Sequence, residues 1–173
     1  MKAESKRQAL VDRLADHVLA EGLSGASLRP LARAAGTSDR MLLYYFPDKA
    51  ALIAAVLARL AERFAPVLDS LGPAEPQPPE ALVAKLPQMF TAPEFAAFMG
   101  VWLEMAALAA RGDSGCRAAA EAIGRDYLAW ITARLDLPEP ERGATAARLF
   151  QMIEGAVVLR AIGLEDVVAQ AIA

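Results

Sequence analysis

Residues 27–52 read SLRPLARAAGTSDRMLLYYFPDKAAL, and this stretch decides the fold of the N-terminal part of the chain. Ser27 stands just before a helical run, where an N-cap residue is preferred. Gly36 ends that run, and Ser38 offers the N-cap of a second one. Pro47 cannot continue the second run, so a new helix begins after it. The spacing predicts two short helices joined by a tight turn.

The apolar residues of this stretch fall where two crossing helices need them. Ala32 is the small residue at the crossing point, and Gly36, four positions later, tolerates the positive φ of the turn. The positions that face inward are Leu31, Ala35, Leu42 and either Tyr45 or Phe46. In a helix-turn-helix unit the second helix enters the DNA major groove and the first crosses the backbone. Helical hairpins with a glycine turn also occur as plain packing, so the pattern alone leaves both interpretations open.

The rest of the chain has helical periodicity and no sustained period-two alternation. A stripe of leucines and valines predicts a first helix over 7–21, and an amphipathic pattern predicts a long helix over 48–71 that Pro66 should kink or end. A proline-rich loop covers 72–79. Further helices are expected at about 80–90, 93–111, 115–135, 140–162 and 165–172. With 55% hydrophobic but only 6% aromatic residues, an all-α fold is the first expectation.

Charge is unevenly distributed along the chain. The formal net charge is −3, yet residues 1–49 contain eight Lys and Arg against six Asp and Glu, and the remaining residues contain ten against fifteen. The N-terminal part is therefore the basic part, although such asymmetry is a weak signal alone. The single cysteine, Cys116, excludes an intramolecular disulfide. The N-terminus is charged, and the most apolar stretch, 95–110, is interrupted by Glu104, so we expect a cytoplasmic soluble protein without a membrane partner.

The opening stretch resembles the N-terminal signature of the TetR family of bacterial repressors. The resemblance is carried by residues 27–38 and 42–52, with Ala34 and residues 39–41 variable. The tetrapeptide Met152-Ile153-Glu154-Gly155 is similar to the family's Asp-Gly in a dimer-forming helix. The resemblance implies about nine helices: a three-helix DNA-binding domain over 1–48 and a bundle for ligand binding and dimerisation over 49–173, linked by the fourth helix.

The resemblance also implies which residues meet DNA. The residues facing base edges would be Asp39, Arg40, Met41, Leu43 and Tyr44. The residues meeting phosphates would be Ser27, Ser38, Tyr45 and Lys49. The residue chemistry agrees, because hydroxyls and helix N-termini bind phosphate oxygens and Arg matches guanine O6 and N7.

Three positions make this surface atypical. The family usually has Tyr where this chain has Leu43, and often His where it has Tyr45. Leu43 therefore offers only apolar contact. Asp39 is repelled by phosphate, although it could accept from cytosine N4 or cap the helix N-terminus, and we favour the cap.

An apolar cluster in the second part of the chain is the predicted effector site. Its members are Phe64, Phe90, Phe95, Phe98, Met99, Trp102, Met105, Tyr127 and Trp130. Such residues at helical spacing fill cores more often than pockets, so both interpretations remain open. Glu104 is a better pointer, because a carboxylate in an apolar helix is costly unless paired. It could hold a cationic ligand or pair with an Arg such as Arg125, and we favour the pair.

The sequence predicts a homodimer that binds an inverted-repeat operator and responds to a small apolar or amphipathic effector. The predicted interface stripe is Ala146, Leu149, Phe150, Ile153, Val157 and Ile162. No metal, cofactor or catalytic residue is expected, because His17 and Cys116 are each alone and no phosphate loop is present. The alternative is a helical module that binds a small molecule or a protein partner without DNA affinity, which the acidic total charge and the loss of the family's Tyr would favour.

Overall fold

The chain folds into helices throughout the described residues, 2–23 and 27–171 of a computed structural model. These residues form ten helices: α1 (Lys2–Glu21), α2 (Leu28–Ala34), α3 (Asp39–Tyr45), α4 (Lys49–Leu71), α5 (Pro79–Val83), α6 (Leu86–Thr91), α7 (Pro93–Ala110), α8 (Ser114–Ala133), α9 (Glu139–Ala161) and α10 (Glu165–Ala171). The all-α expectation is confirmed. The predicted connection at 24–26 and the predicted helix end at residue 172 lie outside the described residues.

Prolines account for two differences from the predicted helices. The helix expected over 80–90 is divided into α5 and α6, with Pro87 in the first turn of α6. A proline there has no N–H for the carbonyl four residues earlier, and its ring clashes with that carbonyl, so one continuous helix is not formed. Pro66, which was expected to kink or end α4, lies inside a helix that continues to Leu71.

The residues cluster into two compact units. Unit 1 comprises Met1–Ala65 and Ala97–Glu121, and unit 2 comprises Pro66–Ala96 and Ala122–Ala173. Helices α4, α7 and α8 each supply residues to both units. The functional boundary after residue 48 stays a prediction.

The core of unit 1 joins the short helices to the long ones. Leu14 of α1, Leu31 of α2, Leu42 of α3 and Leu52 of α4 are each completely buried. Burying a leucine side chain is worth about 1.5–3 kcal/mol relative to leaving it exposed. The apolar positions that the sequence assigned to the inner face of the helix-turn-helix therefore hold it to the rest of the unit.

Unit 2 fastens the proline-rich loop after α4 to the end of α8. The Gln77 N–H donates to the Arg134 carbonyl (2.8 Å), and the Asp136 N–H donates to the Gln77 carbonyl (2.9 Å). Nearby, the indole N–H of Trp130 donates to Asp69 Oδ1 at 2.9 Å. Arg134 also pairs with Asp69 and stacks on the Trp130 ring, 4.0 Å from its centroid. The loop is thus ordered by hydrogen bonds although it has no helix of its own.

Candidate nucleic-acid interface

The turn between α2 and α3 is closed by two backbone hydrogen bonds. The Gly36 N–H donates to the Arg33 carbonyl (3.0 Å), and the Thr37 N–H donates to the Ala32 carbonyl (2.9 Å). This is the Schellman pattern, in which the residue after the helix adopts left-handed backbone angles. Gly36 has φ of +66°. The backbone therefore requires a residue that tolerates positive φ at the place where the sequence has glycine.

Helix α3 buries one side and exposes the other. Leu42 and Phe46 are buried, whereas Tyr45 is only partly buried, so Phe46 is the inward-facing residue of the two that the sequence left open. The exposed large side chains of α3 are Met41 (40% exposed), Leu43 (45%) and Tyr44 (74%). Arg40 is exposed as well. A short helix that presents a guanidinium and several apolar groups to solvent has the chemistry for guanine edges and thymine methyl groups.

Two serines flank the helices at their N-termini and play different parts. The Ser38 Oγ accepts a hydrogen bond from the Met41 N–H at 3.2 Å and caps α3. The prediction that Asp39 caps this helix is therefore wrong, because the serine one position earlier has the N-cap geometry, and Asp39 lies in the first helical turn. Ser38 accepts in this bond, so its own O–H remains a donor for a phosphate oxygen. Ser27 occupies the N-cap position of α2 without a side-chain cap hydrogen bond.

The start of α4 places Lys49 next to a capped turn. Asp48 Oδ1 accepts from the Ala51 N–H at 2.7 Å. Lys49, the first residue of α4, is exposed. The Asp48 carboxylate is thus directed to the backbone of α4, and the contact of Lys49 with a phosphate stays a prediction.

Ion pairs fasten α1 to α4 within unit 1. Arg59 Nε donates to Asp12 Oδ1 at 2.6 Å, and Arg63 donates to the same oxygen at 3.0 Å. Arg63 also reaches Asp16 at 2.6 Å. The hydrogen bond from Arg59, together with that from Arg63, lowers the pKa of the Asp12 carboxyl below its usual value. A separate contact places the guanidinium of Arg7 over the Phe46 ring, 4.9 Å from its centroid. Helix α1 thus supports the end of α3 and the middle of α4.

With this geometry in place, residues 14–56 match the sequence profile described as bacterial regulatory proteins of the tetR family. This segment belongs to the TetR family. The match includes every residue predicted to contact DNA. No protein in a curated reference set matches the sequence.

Solved structures extend the TetR fold over nearly the whole chain. A TetR-family transcriptional regulator from Cytophaga hutchinsonii superposes with a TM-score of 0.73 at 18% identity, covering 98% of this chain and 96% of that chain. A transcriptional regulator from Rhodococcus sp. Rha1 gives 0.71 at 21% identity over 96% and 91%. The multidrug binding protein EbrR complexed with proflavin gives 0.70 at 22% identity over 95% and 98%. These similarities confirm the TetR fold, a helix-turn-helix followed by a helical bundle.

The structure distributes the predicted effector residues over both units of this TetR-type chain. Unit 1 contains Phe64, Phe98, Met99, Trp102, Glu104 and Met105, and unit 2 contains Phe90, Phe95, Tyr127 and Trp130. In unit 1 the rings of Phe64 and Phe98 lie 5.0 Å apart. In unit 2 Tyr127 and Trp130 line a cavity of about 20 Å³. That volume is roughly the room that one water molecule needs.

A larger groove lies entirely within unit 1 and was not predicted from the sequence. It has a volume of about 870 Å³ and is lined by Leu23, which follows α1, and by the first turns of α4, the second half of α7 and the turn into α8. Of the predicted effector residues, only Glu104 is among those that line it. Its carboxylate lies against Gly22, where a Cβ would be 2.1 Å from Oε1. Glu104 and Arg125 each have contacts of their own, and their mutual pairing stays a prediction.

Burial separates the predicted dimer stripe into two groups. Ala146, Leu149, Ile153 and Val157 are buried within the protomer, Phe150 is partly buried, and Ile162 is 65% exposed. The exposed apolar side chains at the end of α9 and on α10 are Val158, Ile162, Leu164 and Val167. Helical periodicity alone does not distinguish an apolar face that packs inward from one that packs on a partner, so the sequence missed three of these four.

A metal site, a reactive thiol and a membrane span each require particular features of the described residues. There, no group of three or more His, Cys, Asp or Glu side chains lies close enough together to hold a metal ion. The Cys116 thiol is buried, and burial, with the nearby Asp113 carboxylate, raises its pKa. Helix α7 is the one described helix long and apolar enough to cross a membrane by length and composition. It carries Glu104 and packs through Phe98 against Phe64, as a helix of the folded protein and not as a membrane span.

Proposed function

We propose that this chain is a homodimeric, ligand-responsive transcriptional repressor that reads an inverted-repeat operator through α3. The observation that carries the proposal is the capped, seven-residue helix α3, which follows a Schellman turn and exposes Arg40, Met41, Leu43 and Tyr44. Exposed apolar side chains grouped on one short helix and accompanied by polar residues are typical of an interaction surface.

On this proposal the surface residues divide into two classes of contact. Arg40 reads a guanine, and Met41, Leu43 and Tyr44 contact bases or thymine methyl groups. Ser27, Ser38, Tyr45 and Lys49 meet phosphates, which fix the position of the protein without reading sequence. Asp39 lies in the first turn of α3, where its negative charge interacts favourably with the helix dipole. Its carboxylate can also accept a hydrogen bond from cytosine N4.

The dimer is proposed to form through the exposed apolar side chains of α9 and α10. A contiguous apolar patch on a soluble protein marks an interaction surface, and a two-fold operator requires a two-fold protein. Ile162→Glu should place a charge in this patch and shift the protein to monomer in sedimentation velocity. Ala58→Glu, at an exposed position of α4 in unit 1, is the control for adding a carboxylate to an exposed surface outside this patch. A dimer that survives Ile162→Glu unchanged would remove this surface from the proposal.

The effector is proposed to be a small apolar or amphipathic molecule. Support comes from the fold, because EbrR, a similar structure, is a multidrug binding protein solved with proflavin. A coupling free energy of roughly 1–3 kcal/mol between effector and operator would loosen DNA binding about 5- to 150-fold.

The test is a mobility shift on the inverted repeats nearest the gene for this protein, repeated at several salt concentrations. Sequence-preferring binding that weakens as salt rises is expected. Arg40→Ala should relax the preference at one base position, whereas Lys49→Ala should weaken all sequences alike. If the protein shows no DNA binding that depends on both the duplex sequence and the salt concentration, the alternative of a helical module without DNA affinity is the better description.

A further inference from the structure

The groove of unit 1 combines an apolar floor with a charged rim. Leu23, Ile53, Leu57 and Leu108 supply the floor, and the groove's volume of about 870 Å³ is that of a small-molecule site. Lys49 and Arg111 stand on the rim and are both exposed. The groove thus has the size and the surface for an amphipathic ligand.

The two rim cations have no hydrogen-bonded partner in the described residues. Among the described residues, neither the Lys49 ammonium nor the Arg111 guanidinium forms a side-chain hydrogen bond or an ion pair. Elsewhere in unit 1 the arginines of α4 are paired, since Arg59 and Arg63 both bind Asp12. A cation beside an apolar surface and without a carboxylate partner favours an anionic group.

The two carboxylates of the groove are already engaged. Asp113 Oδ1 accepts from the Cys116 N–H at 2.8 Å, so it caps α8, and that bond lowers the pKa of Asp113. Glu104 has its own contacts and lies against Gly22. Lys49 also lies near enough to Asp113 to help lower its pKa, but neither Lys49 nor Arg111 forms a hydrogen-bonded ion pair with these acids in the described residues. The N–H donors of both cations therefore remain available to an anionic ligand.

We propose that this groove binds an amphipathic carboxylate, with its apolar body on the leucine floor and its carboxylate between Lys49 and Arg111. The proposal rests in part on the proposed function, because Lys49 is also assigned there to a DNA phosphate. One ammonium group does not serve both anions at full strength. Bound carboxylate and bound DNA therefore oppose each other through Lys49, and by linkage each weakens the other by the same factor.

Decanoate is the probe for the binding step, titrated below its micelle concentration into DNA-free protein by isothermal calorimetry. Saturable binding of one decanoate per chain is expected. 1-Decanol has the same apolar chain without the charge and should bind more weakly. Equal affinity for decanoate and decanol, or no saturable binding of decanoate, would overturn the proposal.

Three variants locate the site. Arg111→Gln and Lys49→Gln should each weaken decanoate binding by about fivefold, the scale of one exposed ion pair. Arg13→Gln is the matched control, because it removes an exposed cation of unit 1 that does not line the groove. Its decanoate affinity should equal that of the unchanged protein. If all three variants bind decanoate alike, the carboxylate does not lie between Lys49 and Arg111.

A second measurement separates this proposal from the function on which it rests. In mobility shifts, decanoate should weaken retention of the duplex by about fivefold, and Arg111→Gln should raise the decanoate concentration needed. If decanoate binds with the expected variant pattern but the protein binds no DNA, the proposed repressor function is wrong and the proposed carboxylate site in the groove stands. DNA binding that decanoate leaves unchanged at saturation would keep the repressor and overturn the competition through Lys49.

Discussion

Alanine at Gly36 should destabilise the protein through the backbone alone. Gly36 has φ of +66°, and a Cβ built there meets no atom within 4 Å. The alanine side chain therefore meets no steric clash. The loss of unfolding free energy comes from holding an L-residue in the left-handed region, which costs about 1–2 kcal/mol. For a chain of this size about 1 kcal/mol corresponds to roughly 2–4 °C. Gly36→Ala should lower the melting temperature by about 2–8 °C.

The same substitution at Gly100 is the matched control. Gly100 also lies in unit 1 and also has open space around a built Cβ, but it is inside α7 and its φ is not positive. Alanine there should raise the unfolding free energy by about 0.5–1 kcal/mol, because glycine is the poorer helix former. Asparagine at Gly36 should cost less than alanine, since it tolerates left-handed angles better.

Thermal unfolding followed by circular dichroism at 222 nm measures all three variants. The expected order of melting temperature is Gly100→Ala, the unchanged protein, Gly36→Asn and then Gly36→Ala. A mobility shift on the same samples should show weaker DNA binding for Gly36→Ala, because the strained turn is the one that places α3. If Gly36→Ala were as stable as Gly100→Ala, the assignment of the α2–α3 turn to a left-handed glycine would be wrong.

Three further predictions concern titratable side chains. Asp12→Asn should lower the urea unfolding free energy by up to about 1 kcal/mol, a difference present above about pH 4 and lost at lower pH, because bonds from Arg59 and Arg63 lower the pKa of the Asp12 carboxyl. Burial raises the pKa of Tyr127, so the folded chain should become less stable above about pH 10, and absorbance at 295 nm should show one tyrosine that ionises only on unfolding. Burial also raises the pKa of Cys116, so Ellman's reagent should label it slowly until denaturant is added, and fast labelling of the folded chain would contradict its burial.

The helix-turn-helix was predictable because its signals are local. Gly36, Ser38 and Pro47 act on their own backbone within a few residues, and the structure places a turn, a cap and a helix end at those positions. A local effect also explains why the helix expected over 80–90 is divided. Pro87 interrupts the backbone hydrogen bonding there, and the sequence contains this signal. Pro66 is the opposite case, since α4 continues past this proline to Leu71.

The groove was not predictable in this way, because its parts come from distant positions. Leu23 follows α1, Lys49 begins α4 and Arg111 follows α7. No periodicity in the sequence brings these three together, and the apolar cluster chosen from residue type marked mostly buried side chains instead. For the same reason the buried and exposed parts of the α9 stripe could not be separated without the packing partners.

The ion pairs weaken the argument that an acidic net charge excludes DNA binding. Asp12 and Asp16 were counted against the N-terminal part, yet both are paired with arginines of α4 that lie beyond residue 49. DNA responds to the local potential within a Debye length of about 10 Å, and not to the sum over the chain. A count that stops at residue 49 therefore includes these two carboxylates but not the arginines that pair with them. Asp12→Asn should then strengthen phosphate attraction only slightly, because it removes a charge that Arg59 and Arg63 already offset.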